Sequence, residues 1–171
     1  MSRPAYSALS AIVLVAVAAA IGGTSLAAQA TNDPRLTVAD VEKVTGMKGV
    51  QVVAPGSVAG AGPGLNFAGP NRKMMLMVNF GTADLYRRAK EQKDMKVGGM
   101  TIPMPLFHAA VPGIGDEAFD SPPGPVQYVL YFRKGQKAAS LTTYVLDPKA
   151  TKTVLTIEQL KQLGAIVASR L

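Results

Sequence analysis

The stretch Val111–Leu146 reads VPGIGDEAFDSPPGPVQYVLYFRKGQKAASLTTYVL, and its second half decides the fold. Val126–Arg133 (VQYVLYFR) alternates in period two. Val126, Tyr128, Leu130 and Phe132 fall on one side, and Gln127, Val129, Tyr131 and Arg133 on the other. A turn follows at Lys134-Gly135-Gln136, and Lys137–Leu146 (KAASLTTYVL) makes a second β-like run. Ala139, Leu141, Thr143 and Val145 give that run an apolar face. The pair reads as a β-hairpin, fed by a tight loop at VPGIGDEAF, with the other elements packed around it.

Working outward, Pro148 breaks the chain beyond the hairpin. Thr156 with Gln159 three residues on is a capping box, and it opens a last helix. Ile157, Leu160, Leu163, Gly164, Val167 and Leu171 form the helix's apolar stripe, which suits it to cover one sheet face. Before the loop, Thr37 and Asp40 cap a short helix bearing Val38, Val41 and Val44, and Gly46 stops it. Gly49–Ala54 (GVQVVA) reads as a short strand, as does Leu65–Ala68. Met74–Phe80 (MMLMVNF) is apolar enough for a central strand. Pro55–Pro70 between them is rich in glycine and proline. It lacks the Lys-Ser/Thr pair and following helix of a phosphate-binding loop, so a mobile surface loop is expected.

The first thirty residues have the grammar of an export signal. Arg3 precedes the eleven-residue aliphatic run Ala11–Ile21, and Ala28-Gln29-Ala30 offers small residues for cleavage. A spanning helix needs about 20 apolar residues, so cleavage is expected over retention as an anchor. No transmembrane segment is then expected in residues 31–171, which are enough for one domain with its own core. The chain contains no cysteine. That excludes a lipid anchor at a cysteine, thiol catalysis, cysteine-type zinc sites and redox function. The expected location is periplasmic or secreted.

The formal net charge is +7, and +6 without the leader's Arg3, which favours anionic partners. For an exported chain, lipid or polysaccharide of the cell envelope is expected before nucleic acid, with a protein partner as the alternative. The strongest basic cluster is Arg87, Arg88, Lys90, Lys93 and Lys96, placed on a helix from Ala83 to about Lys96 and capped by Thr82. Arg87–Glu91 and Lys90–Asp94 stand four apart, as paired charges on a helix do. Arg133, Lys134 and Lys137 make the hairpin tip basic. These eight cations are the candidate anionic-partner site, against the plainer reading of a solvated face and a protected sheet edge.

Two further groups carry possible chemistry. Met100, Met104 and His108, spaced by four in MTIPMPLFH, offer thioether and imidazole ligands suited to Cu(I). Pro103 and Pro105 keep them off a common helix face, and the segment Val97–Pro112 reads as irregular. Asp116, Glu117 and Asp120 are the candidates for carboxylate catalysis. The plainer reading is a turn in which Asp116 bonds nearby amides. The chain has one histidine and no Gly-x-Ser-x-Gly elbow, so no nucleophilic triad is available.

Leu36-Thr37, Asp40-Val41 and Gly46, then Gly113-Ile114-Gly115-Asp116-Glu117-Ala118-Phe119, Phe132-Arg133-Lys134-Gly135 and the closing Leu171, together resemble small exported domains of bacterial cell envelopes. Many of these are lipoproteins of unknown function, similar in fold to the PsbP/Mog1 type. The resemblance implies an antiparallel sheet with flanking helices and supplies no catalytic residues. The expectation is therefore an α+β domain, an antiparallel β-sheet flanked by helices and closed by a C-terminal helix. It binds rather than catalyses, and it takes no cofactor.

Overall fold

A computed structural model describes residues 33–57, 62, 64–71, 74–97, 99–122, 127–144 and 154–171. The expected leader, residues 1–30, lies outside them, as do Val126, Val145 and Leu146 at the hairpin's far ends. The elements are α1 (Val38–Thr45), β1 (Gln51–Val53), β2 (Leu65–Ala68), β3 (Met74–Thr82), α2 (Ala83–Glu91) and β4 (Asp94–Val97). They continue with β5 (Met100–Pro103), β6 (Ala109–Ala110), β7 (Glu117–Asp120), β8 (Gln127–Lys134), β9 (Lys137–Tyr144) and α3 (Ile157–Ser169). Seven strands make one antiparallel sheet in the order β1-β2-β3-β9-β8-β7-β6, and β4 and β5 pair apart from it as a two-stranded ribbon. This is the expected α+β architecture.

The β8–β9 hairpin is its centre. Lys134 pairs with Lys137 and only Gly135-Gln136 lie between, with Gly135 at φ +57°. Alternation along β8 divides two cores. Tyr128, Leu130 and Phe132 join Leu141, Leu160, Leu163 and Val167 in the larger, beneath α1 and α3. Val129 and Tyr131 join Tyr86, Ala89, Leu106, Phe119 and Ala138 in the smaller, beneath α2. The layers are therefore α2, sheet, and α1 with α3.

Both predicted capping boxes are present. Thr37 accepts from the Asp40 amide while Asp40 accepts from that of Thr37, and Thr156 and Gln159 exchange the same bonds. Gly46 ends α1 in the left-handed conformation. The two terminal helices are latched together by Arg170, whose guanidinium reaches both carboxylate oxygens of Asp40 at 2.6 and 3.0 Å.

Two expectations need correction. The second helix stops at Glu91, and Thr82 occupies its N-cap without a side-chain bond. Lys93, Asp94 and Lys96 therefore leave the helix, and the expected Lys90–Asp94 helical pair does not exist. The segment Val97–Pro112 is not irregular throughout, since Met100–Pro103 folds back on Asp94–Val97 and Ala109–Ala110 joins the sheet edge. The physical reason is alternation: DMKV and MTIP flank Gly98-Gly99, with Gly99 at φ +85°, which is a hairpin pattern. Of the glycine-rich loop, residues 58–61 and 63 lie outside the described residues, and Gly62 and Gly64 bond to Asn66. The buried Asn66 amide donates to the Gly62 and Gly64 carbonyls at 2.9 and 2.7 Å and accepts from the Gly62 amide. Gly64 lies so close to β3 that a Cβ there would stand 2.3 Å from the Val78 oxygen.

Candidate functional site

The eight candidate cations separate into groups with different duties. At the hairpin tip, Lys134 donates to the main-chain oxygen of Ser169 at 3.4 Å, and Lys137 donates to that of Leu171. Lys134 thus satisfies a carbonyl of the last turn of α3, and Lys137 meets a main-chain oxygen just beyond it, at the helix's negative end. Arg133 lies 2.7 Å from Glu117 and 3.5 Å from Asp116. Arg87 pairs with Asp84 at 2.9 Å, and Lys90 with Glu117 at 3.2 Å. The expected Arg87–Glu91 pair is replaced by Arg87–Asp84, one helical turn in the other direction. Arg88 and Lys93 are exposed and have no ion-pair partner among the described residues. Lys96 lies in β4.

The three carboxylates serve the scaffold. Asp116 accepts from the Gly135 amide at 2.7 Å, and its own amide donates to the Arg133 oxygen at 2.9 Å. The Gly-Asp pair thus clasps the hairpin turn, nineteen residues away in sequence. Glu117 holds Arg133 and Lys90 together, and those cations lower its carboxyl from the ordinary value, Arg133 most. Burial, then the Glu117 charge, pushes the neighbouring Tyr86 hydroxyl up to about 12. Asp120 sits on the other face of β7. It accepts from the Ala109 amide at 2.9 Å and the Tyr128 hydroxyl at 2.8 Å, and meets His108 Nδ1 at 3.1 Å. Burial first, and then this bond to Asp120, raises the Tyr128 hydroxyl. Alternation along β7 therefore puts Glu117 and Asp120 on opposite sides of the sheet.

The Met/His group is also dispersed. Met100 begins β5 at the ribbon's turn, 64% exposed, while Met104 follows its far end, where its amide donates to the Lys93 oxygen at 2.7 Å. Four extended residues separate the two by about 13 Å along the strand. His108 is half-exposed, with Nδ1 engaged by Asp120. Among the described residues no three His, Cys, Asp or Glu side chains group as a metal site.

What the sequence reading missed is an apolar surface. Among the described residues five large hydrophobics are exposed, and Met100, Ile102 and Phe107 lie within one short segment; Val154 and Ile157 flank the start of α3. All four residues of β5 face solvent. Phe107 stays partly anchored, its ring 5.6 Å from that of Phe119. The period-two pattern around Gly98-Gly99 was the available signal. The interior offers little by comparison. A cavity of about 30 Å³ lies between α2 and the sheet, lined by Leu85, Tyr86, Ala89, Tyr131 and Ser140 among others. That holds a water or two and is far below the several hundred Å³ of a small-ligand site. On the other face Leu130, Leu141, Leu160, Leu163 and Val167 are wholly buried.

No helix among the described residues is long and apolar enough to cross a membrane. Comparison with protein-family models, with curated proteins and with solved structures finds no match.

Proposed function

We propose that this is an exported, non-enzymatic recognition domain that works through its outer surface and engages an anionic component of the cell envelope. The observation that carries the reading is the filled interior. Leu160, Leu163 and Val167 of α3 and Leu130 and Leu141 of the sheet are buried together with no exposure, which favours a partner met outside. The sign of the partner follows from the net charge, +6 once Arg3 leaves with the leader, and from Arg88 and Lys93, which have no ion-pair partner among the described residues. Cations already engaged by carboxylates or helix carbonyls contribute less to an outside partner than free ones do. Export is supported by the charged, apolar and small-residue order of residues 1–30.

The test is binding to immobilised anionic polysaccharide and to anionic vesicles across a salt series. Arg88→Ser with Lys93→Ser should weaken binding and flatten its salt dependence. Lys134→Ser with Lys137→Ser should leave binding nearly unchanged while lowering thermal stability slightly. If the second pair abolishes binding and the first does not, the partner surface lies at the hairpin tip. If wild-type protein binds neither material at low salt, anionic recognition is wrong.

A further inference from the structure

We propose that the β4–β5 ribbon is an interfacial wedge, which seats its apolar side in the headgroup region of an anionic phospholipid bilayer. The inference rests on the anionic-partner reading above and names the partner class as lipid. Its first support is the exposure of β5. A two-stranded hairpin is marginal in water unless something covers it. Here all of β5 is exposed, and the ribbon is no part of the main sheet. Its second support is the register. Met100 and Ile102 are two apart, so they share one side of the ribbon. Met100 pairs with Val97 and Ile102 with Met95, so apolar residue types occupy all four paired positions of that alternation. The intervening pairs are Lys96–Thr101 and Asp94–Pro103. The alternation makes the ribbon amphipathic by residue type, and on its apolar side Met100 is 64% and Ile102 36% exposed among the described residues.

The third support is charge complementarity, which selects an anionic bilayer over a neutral apolar partner. Between Ala83 and Pro103 there are five bases against three acids. Lys93 sits at the ribbon's foot, where its oxygen receives the Met104 amide, and Arg88 lies on the helix that leads into it. Apolar side chains beside exposed cations that have no ion-pair partner among the described residues are the composition that holds a peripheral element at a headgroup boundary. Phe107 is 39% exposed just beyond the ribbon and adds an aromatic side chain to the same segment.

The chain contains no tryptophan, so Met100→Trp gives a single reporter in an otherwise silent background. On phosphatidylglycerol-containing vesicles its emission should move to shorter wavelength and be quenched by lipids brominated along the acyl chain. On pure phosphatidylcholine vesicles and on dextran sulfate it should not move. Met100→Ser with Ile102→Ser should cut affinity for the anionic vesicles about tenfold or more, since each side chain loses an apolar contact. Affinity for dextran sulfate and the melting temperature should stay unchanged, because both residues are exposed.

Several outcomes overturn the wedge. Vesicle binding that survives the double serine variant does so and leaves anionic recognition standing. Wild-type protein that binds dextran sulfate but not vesicles does the same. A wild-type dimer in solution that the serine variant abolishes would assign the face to a second copy. Absence of binding to either anionic material removes the wedge together with the reading beneath it.

Discussion

At the scale of single residues, the most distinctive segment of the chain, Gly-Ile-Gly-Asp-Glu-Ala-Phe, is a fastening. Gly115 has φ +62°, and a Cβ there would meet the Arg133 oxygen at 2.3 Å, the same oxygen that accepts the Asp116 amide. Gly113 has φ +82° with nothing within 4 Å. Gly113→Ala should therefore cost only the left-handed backbone term, about 1 kcal/mol. Gly115→Ala adds displacement of the hairpin edge and should cost clearly more, about 2–4 kcal/mol by urea denaturation. Equal losses would mean the loop does not need its close seat on the hairpin. Asp40 offers a second test. Arg170 first, then the Thr37 hydroxyl and amide, hold its carboxyl well below the usual carboxylate range. A depressed carboxyl stabilises the fold fully above its unfolded value, about 4, and less as pH falls beneath it. Asp40→Asn should lower stability at neutral pH and flatten the acid limb of the stability profile below about pH 4. An unchanged acid limb would show that the latch between the helices carries no net stabilisation.

At the scale of elements, legibility followed how local the determinant was. Thr37-x-x-Asp40 and Thr156-x-x-Gln159 announced both helix starts because a capping box is complete within four residues. Tyr128, Leu130 and Phe132 announced a strand because a half-buried sheet has period two. The α2 boundary was misread because Lys90, Lys93 and Lys96 recur every three residues, which mimics a helical face. The turn at Gly98-Gly99 and the pairing of Asp94–Val97 with Met100–Pro103 override that rhythm. The fates of Lys134 and Lys137 were not legible, since the main-chain oxygens of Ser169 and Leu171 that they meet lie more than thirty residues away. For the candidate site this matters most: charge type was readable, but which charges stay free depends on the packing of distant elements. The ribbon's isolation also has a dynamic consequence. A hairpin outside the main sheet should open locally at little free-energy cost, whereas β8 and β9 open only with the whole molecule. Hydrogen exchange should thus find amides of β4 and β5 exchanging orders of magnitude faster than those of Leu130 or Leu141. Comparable protection in the two places would mean the ribbon is held by more than its own pairing.

At the scale of the whole molecule, the sheet is filled from both sides by one hairpin. Leu130 belongs to the layer under α1 and α3, and its neighbour Tyr131 to the layer under α2, where it stacks on Phe119 at 4.7 Å. Neither layer can lose its packing without disturbing the strand they share. Among the described residues, both cores are built on the same sheet by residues between Leu36 and Ala168, so the domain is one packing unit. Its unfolding should be a single transition. Leu130→Ala removes a wholly buried side chain from the larger layer and should cost about 2–5 kcal/mol. Phe119→Ala does the same to the smaller layer, at about 3–5 kcal/mol. Tyr128 reports on the first layer, and Tyr86 and Tyr131 on the second. Near-ultraviolet and far-ultraviolet circular dichroism should therefore melt together in both variants, at lower temperature than in the parent. A Phe119→Ala protein that loses tyrosine signal first and backbone signal later would mean that α2 and its ribbon form a separate unit. Ribbon function could then be altered without touching the rest of the fold. Coincident melting would mean that whatever the ribbon binds stabilises the entire domain.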